Sequence, residues 1–243
     1  VLGCIGDLLE DVVVHLHEQV NIASDTASRV VHRRGGSAAN VVEAACRAGG
    51  RARLIAQVGD DARGAWLTDE LAELGADLCV RRTGRTGTII VLVHRDGERT
   101  MLADRAACLD LSDPQPSWLD GLHTLHIPYY SLDIEPLAGT SRTLAEWAHH
   151  RGIAVSVDAS SSALLEADGV DEACARIAAV HPSVVLANEL EAATLGDRLQ
   201  PHLLGGAVVV VKRGPLPATV LRIGHDPVDV PPADLGGVRD TTG

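Results

Sequence analysis

Two stretches of this chain carry residue types suited to holding a hydroxyl-rich ligand. Gly35-Gly36-Ser37-Ala38-Ala39-Asn40 joins a tight Gly-Gly turn to the start of an Ala-rich helical stretch. The glycines let the backbone approach a ligand closely, and the helix start offers free N–H groups. Asn40 brings both a donor and an acceptor, a match for sugar hydroxyls. Upstream, Gly6-Asp7-Leu8-Leu9-Glu10-Asp11 sets acidic residues just past a first apolar run. That is where open α/β sheets bind ligands. Taken alone, a Gly-Gly turn is common, and Asp7, Glu10 and Asp11 read as solvated loop charges.

Three later stretches could serve a phosphate-bearing partner. In Asn188-Glu189-Leu190-Glu191 a carboxylate follows an amide by three residues. Such a pair can organise the waters that Mg²⁺ retains, or simply cap a helix whose start favours negative charge. Val210-Val211-Lys212-Arg213-Gly214 is a strand ending in a cation and a glycine. Lys212, the only lysine, faces either a phosphate or solvent. The chain closes on Asp240-Thr241-Thr242-Gly243, a start for a Gly-rich turn whose N–H groups would face a transferring phosphoryl group.

The elements that must position these residues alternate between strand and helix, the pattern of a parallel sheet covered on both faces. Strands are expected at 1–6, 53–58, 122–128, 153–158, 184–187 and 207–212, with helices at 37–48, 64–74 and 136–151 and one more before the last strand. Gly75 supplies a helix C-cap. Two stretches break the rhythm. Residues 11–20 and 29–33 read as extended, and 88–93 with 99–103 form a hairpin across Arg95-Asp96-Gly97-Glu98. They predict a small β-sheet projecting as a lid from a single α/β domain over 1–243, its strands lying within 11–34 and 86–104.

Composition narrows the function classes. With 46% hydrophobic residues but no Phe, Val, Leu, Ile and Ala must fill the core. A net charge of −12 argues against a nucleic-acid surface. No apolar run is long enough for a membrane span, and the first residues read as a buried strand rather than a signal peptide. The five cysteines, widely spaced with no C-x-x-C pair, fit free thiols in a reducing cytoplasm. Lys212 is followed by Arg213, which excludes a Walker A loop, and neither a G-x-G-x-x-G fingerprint nor a G-x-S-x-G elbow occurs. His123-x-x-His126 and His149-His150 lack carboxylate or thiol companions and read as structural.

Taken in order, these five stretches resemble the signatures of the ribokinase-type (PfkB) carbohydrate kinases, and the resemblance runs along residues 1–243. Gly49 and Gly59 fall at the family's spacings, and Gly59-Asp60-Asp61-Ala62-Arg63-Gly64 is similar to the continuation of its first signature. Val42 stands where a small residue is usual, Pro217 where another glycine is usual, and Leu9 where ribokinase has Asn. The resemblance implies a ribokinase-like three-layer α/β/α sandwich with a Rossmann-like, mostly parallel sheet and a β-sheet lid. It implies an ATP-dependent kinase acting on a hydroxyl of a small sugar. Asp11, Gly35, Gly36, Asn40 and Arg99 would hold the substrate, with Asp104 and Arg105 as weaker candidates. Asn188, Glu191, Lys212, Gly214, Thr242 and Gly243 would serve the nucleotide, Glu191 reaching Mg²⁺ through water and Asp240 lying beside a monovalent cation such as K⁺. The catalytic base is expected in an Ala-Gly-Asp continuation after Gly243, where the anion hole starts. The family also implies a cytoplasmic enzyme, often a homodimer through its lid strands. A nucleoside kinase of the same family, or a non-catalytic sugar-binding protein if the polypeptide ends at Gly243, are the alternatives.

Overall fold

Leu2–Ile5 is apolar with no charge along it, and it becomes a strand paired on both sides. The computed structural model describes residues 1–233. In chain order its first half comprises β1 (Leu2–Ile5), β2 (Leu9–Leu16), β3 (Ser28–Gly35), α1 (Ser37–Arg47), β4 (Ala52–Val58), α2 (Ala62–Glu73), β5 (Asp77–Arg82), β6 (Thr88–Val93) and β7 (Arg99–Asp104). The second half comprises β8 (Thr124–Pro128), α3 (Tyr130–Asp133), α4 (Leu137–His150), β9 (Ala154–Asp158), α5 (Ser162–Asp168), α6 (Val170–Ala179), β10 (Val184–Asn188), α7 (Glu189–Leu195), β11 (Val208–Arg213), β12 (Leu216–Leu221) and β13 (Val228–Val230).

Nine strands form the main sheet in the order β13-β12-β11-β10-β9-β8-β1-β4-β5. From β11 to β5 every pairing is parallel, and β12 and β13 extend the edge antiparallel. Alternation along each strand sends side chains to two cores. Cys4, Leu54 and Ala56 pack with α1 and α2 on one face, while Ile5, Ile55, Leu125, Ile127, Val155 and Val157 join the core beneath α4 on the other. Tyr129 is the largest fully buried side chain, in a core otherwise filled by Leu, Ile, Val and Ala.

The order of strands reverses direction between β1 and β8: the chain runs outward from β1 through β4 to β5, then returns to β8 on β1's other side. Ligands of open α/β sheets bind at such a switch point, outside the carboxyl ends of the strands. Here the second sheet stands over it. Its order is β3-β2-β6-β7, with β2 parallel to β6 and the other pairs antiparallel. The predicted lid is therefore present, and the hairpin across 94–98 closes as expected, with His94 N–H donating to the Glu98 carbonyl.

Candidate active site

β1 leads straight into Asp7, and the two glycines before α1 bring the neighbouring backbone onto it. Gly36 has φ +109°, and a Cβ there would lie 2.4 Å from the Asp7 carbonyl oxygen. A Cβ on Gly35 would lie 2.3 Å from the carboxyl carbon of Asp11. Each glycine thus leaves the space that an acidic residue's segment occupies. Asp7 and Glu10 are buried and paired rather than solvated. Asp7 Oδ1 accepts from the Ala38 N–H at the start of α1, 3.2 Å away, and its Oδ2 accepts from Arg105 Nη1 at 2.5 Å. Glu10 sits between His32, at 2.7 Å, and Arg63, at 2.9 Å. The solvated-loop reading does not hold for these two acids: Glu10 lies within β2, which begins at Leu9, and Asp7, in the turn between β1 and β2, is buried against Ala38 and Arg105.

Asp11 is half-buried on the opposite side of β2 from Glu10. Burial pushes its carboxyl up to about 6, and the negative charge of Asp7 adds to this, with Arg34, Arg105 and Arg33 acting in opposition. It lines a cavity of about 360 Å³ under the inner face of the lid, together with Asn40 and Arg99. The pairing register explains the company. Asp11, Val13 and His15 alternate onto one face of β2, and Val13 is in register with Val91 and, through it, Met101. At the outer end His15 is in register with Val93, which pairs with Arg99. Arg34 Nη1 donates to Asn40 Oδ1 at 3.1 Å and forms an ion pair with Glu43 of α1, so the amide is held in place.

A second group forms at the carboxyl ends of β9, β10 and β11. Asn188 and Glu191 make a reciprocal capping box at the start of α7. Glu191 N–H donates to Asn188 Oδ1 at 2.9 Å, while Asn188 N–H donates to Glu191 Oε2 at 2.7 Å. The Asn188 side-chain amide donates to the other carboxylate oxygen, also at 2.7 Å. Burial raises the Glu191 pKa, against the hydrogen bond from Asn188, and the charge of Asp158 raises it further while Lys212 opposes. Lys212 Nζ lies 2.6 Å from Asp158 Oδ2, and Ser160 N–H donates to Asp158 Oδ1 at 2.9 Å. Gly214, at φ +56°, makes the turn from β11 into β12. Among the described residues no group of three or more His, Cys, Asp and Glu is arranged to hold a metal directly. The engaged carboxylates of Asp158 and Glu191 keep spare lone pairs, which suits a cation that retains its own waters.

Two polar groups thus gather in the structure, one under the lid and one at the ends of β9, β10 and β11. The model of the pfkB family carbohydrate kinases matches residues 2–243. The chain belongs to that family. Among curated pfkB-type relatives, it is 31% identical to a fructokinase from Escherichia coli over 145 residues, 57% of this chain and 47% of the relative. It is 34% identical to a probable fructokinase-4 from Arabidopsis thaliana over 131 residues, 51% of this chain and 40% of the relative. The match therefore spans about half the length of these relatives or less. The fold agrees with adenosine kinase from Sinorhizobium meliloti at a TM-score of 0.85, with 22% identity, over 100% of this chain and 83% of that one.

Within this pfkB-family chain, the structure places Asp11, Asn40 and Arg99 on one cavity, with Gly35 against the Asp11 carboxyl and Gly36 against the Asp7 backbone. Asn188, Glu191, Lys212 and Gly214 gather at the neighbouring strand ends. Asp104 and Arg105 stay out of the cavity lining: Asp104 pairs with Arg85 at 2.6 Å, and Arg105 is held by Asp7 and lies over the Tyr130 ring at 3.9 Å. Asp240, Thr242 and Gly243 lie outside the described residues. Of the histidines set aside, His126 meets Ser156 at 2.9 Å and His149 meets the Val180 carbonyl at 2.9 Å. Sequence reasoning missed His15, Arg33 and Arg34. Period-two alternation from Asp11 would have found His15; the two arginines needed the register of β3 against β2.

Proposed function

We propose that the protein is an ATP-dependent kinase that phosphorylates a hydroxyl of a small sugar. The observation that carries this reading is the cavity in which Asp11, Asn40 and Arg99 converge under the lid, at the switch point of the main sheet. Asp11 accepts hydrogen bonds from substrate hydroxyls, Asn40 accepts and donates, and the lid excludes water from them. Asn188, Glu191 and Lys212 serve the nucleotide side. Mg²⁺, held through water by Glu191, would neutralise phosphate charge. By the family resemblance, Thr242 and Gly243 would serve the transferred phosphoryl and Asp240 a monovalent cation, with the catalytic Asp expected in the continuation after Gly243; these residues lie outside the described ones.

A sugar is favoured over a nucleoside because, among the described residues, no Phe, Tyr or Trp lines the cavity to stack a base. Five free cysteines support a reducing, cytoplasmic setting. The outward face of the lid supports a homodimer, since Val30, Ile90 and Leu102 stand exposed on it. The test is ADP formation by the full-length protein across a panel of sugars and nucleosides. Sugar-dependent turnover that needs Mg²⁺ is expected. Turnover only with nucleosides replaces the acceptor, and sugar binding without turnover makes the protein a binding module.

A further inference from the structure

The inner face of the lid carries more positive charge than a neutral sugar requires. Among the described residues Asp11 is the one acid lining the cavity, and Arg33, its register partner on β3, stands opposite it. Arg34 is answered by Glu43. Arg99 has no counter-charge: it has no ion pair or side-chain hydrogen bond among the described residues, and it is exposed. His15 adds a ring nitrogen at the same end. This surplus occurs on a chain whose net charge is −12, so it is not the general character of the surface.

Spacing adds a second constraint. Asp11 and His15 are four residues apart on β2, about 13 Å along an extended strand. Between them lie Val13, Val91 and Met101, which offer no polar contact. A sugar ring seated against Asp11 and Asn40 leaves the Arg99 end open to a group appended to the ring. Guanidinium groups pair two-pronged with carboxylate and phosphate, and a half-enclosed cavity strengthens that pairing.

We infer that the acceptor is an anionic sugar, its ring held by Asp11 and Asn40 and its carboxylate or phosphate by Arg99. The inference rests on the sugar-kinase reading above and narrows its substrate class. The test is calorimetric binding of D-fructose, D-gluconate and D-fructose 6-phosphate to the full-length protein, alongside Arg99→Gln. At least one anion should bind about tenfold tighter than fructose, and that ratio should fall about tenfold in Arg99→Gln. The ratio should also shrink in the unmodified protein as ionic strength rises from about 0.05 to about 0.5 M. Preference for gluconate assigns a carboxylate, and preference for the phosphate ester assigns a phosphate. Fructose binding as tightly as both anions, or a ratio indifferent to salt and to Arg99→Gln, overturns the inference and leaves the kinase reading standing. Failure of all three to bind removes the sugar site and the inference with it.

Discussion

Asp11 sits where a carboxylate is useful to a ligand and unwelcome to the fold. Burial and the nearby Asp7 push its pKa up to about 6, from 3.8 for an ordinary aspartate. The folded state therefore binds this proton more tightly than the unfolded state does. The stabilising effect of that proton is complete below about 3.8 and is lost as pH rises through about 6. Near neutral pH the ionised group is a liability, and Asp11→Asn should raise stability there by about 1 kcal/mol, allowing for screening at a half-exposed site. Chemical denaturation of both proteins should show the gain closing as the pH is lowered past 4. The same substitution should weaken sugar binding by about 10- to 100-fold, the loss expected for hydrogen bonds to a charged acceptor. Gly35→Ala tests the position rather than the charge, since its Cβ would meet the Asp11 carboxyl. A rise of about tenfold in KM, with kcat largely kept, is the expected kinetic signature. Asp11, the two glycines and Asn40 stood out in the sequence because residue type at fixed local spacing marks them, and the structure sets Asp11 and Asn40 on one cavity. Arg33 and His15 did not, because their facing depends on how β3 and β6 register on β2.

At the level of elements, one aspartate ties the lid to α2, beside the Glu10–Arg63 and Asp7–Arg105 pairs. Asp61 caps α2 through the Gly64 N–H at 2.8 Å, and it accepts from the backbone and hydroxyl of Thr86, at 2.9 and 2.6 Å, just before β6. Burial alone would raise its pKa, but the hydrogen bonds from Thr86 and Gly64 and the charge of Arg63 outweigh it and hold the group at about 2. Its contribution is thus present above about 3.8 and lost as pH falls through about 2. Asp61→Ala should cost about 2 kcal/mol, one part cap and one part tether, read as a lower Tm at neutral pH. The deficit should vanish in acid near pH 2. The motif around Gly59 and Asp61 was recognised by resemblance, whereas its work as a tether shows only in three dimensions. Other elements escaped the sequence reading for physical reasons. β12 contains Pro217, which argues against a central strand and is accommodated beside an irregularity in the β11 pairing. α5 and α6 are separated by Gly169 at φ +86°, which interrupts the helical period. β5 is an edge strand carrying Asp77, Arg81 and Arg82, too polar to read as part of a sheet.

For the whole molecule, the lid has two unlike faces: one lines the cavity, and the other presents Val30, Ile90 and Leu102 to solvent. If a second copy covers that outer face, Ile90→Glu and Leu102→Glu together should convert a dimer to a monomer in analytical ultracentrifugation while the main domain stays folded. A monomeric unmodified protein would dismiss the dimer. That two sheets exist was readable from the break in strand–helix alternation. The order of nine strands was not, because it is decided by long-range pairing. The scarcity of aromatics, visible in the composition, has an optical consequence. Trp66, Trp118 and Trp147 all lie outside the lid, whose four strands contain no Trp, Tyr or Phe. Movement of the lid would leave its own strands dark in tryptophan emission. A single tryptophan placed at Met101, on the cavity wall, would therefore report ligand entry from the lid itself, against a background of three indoles that lie outside it.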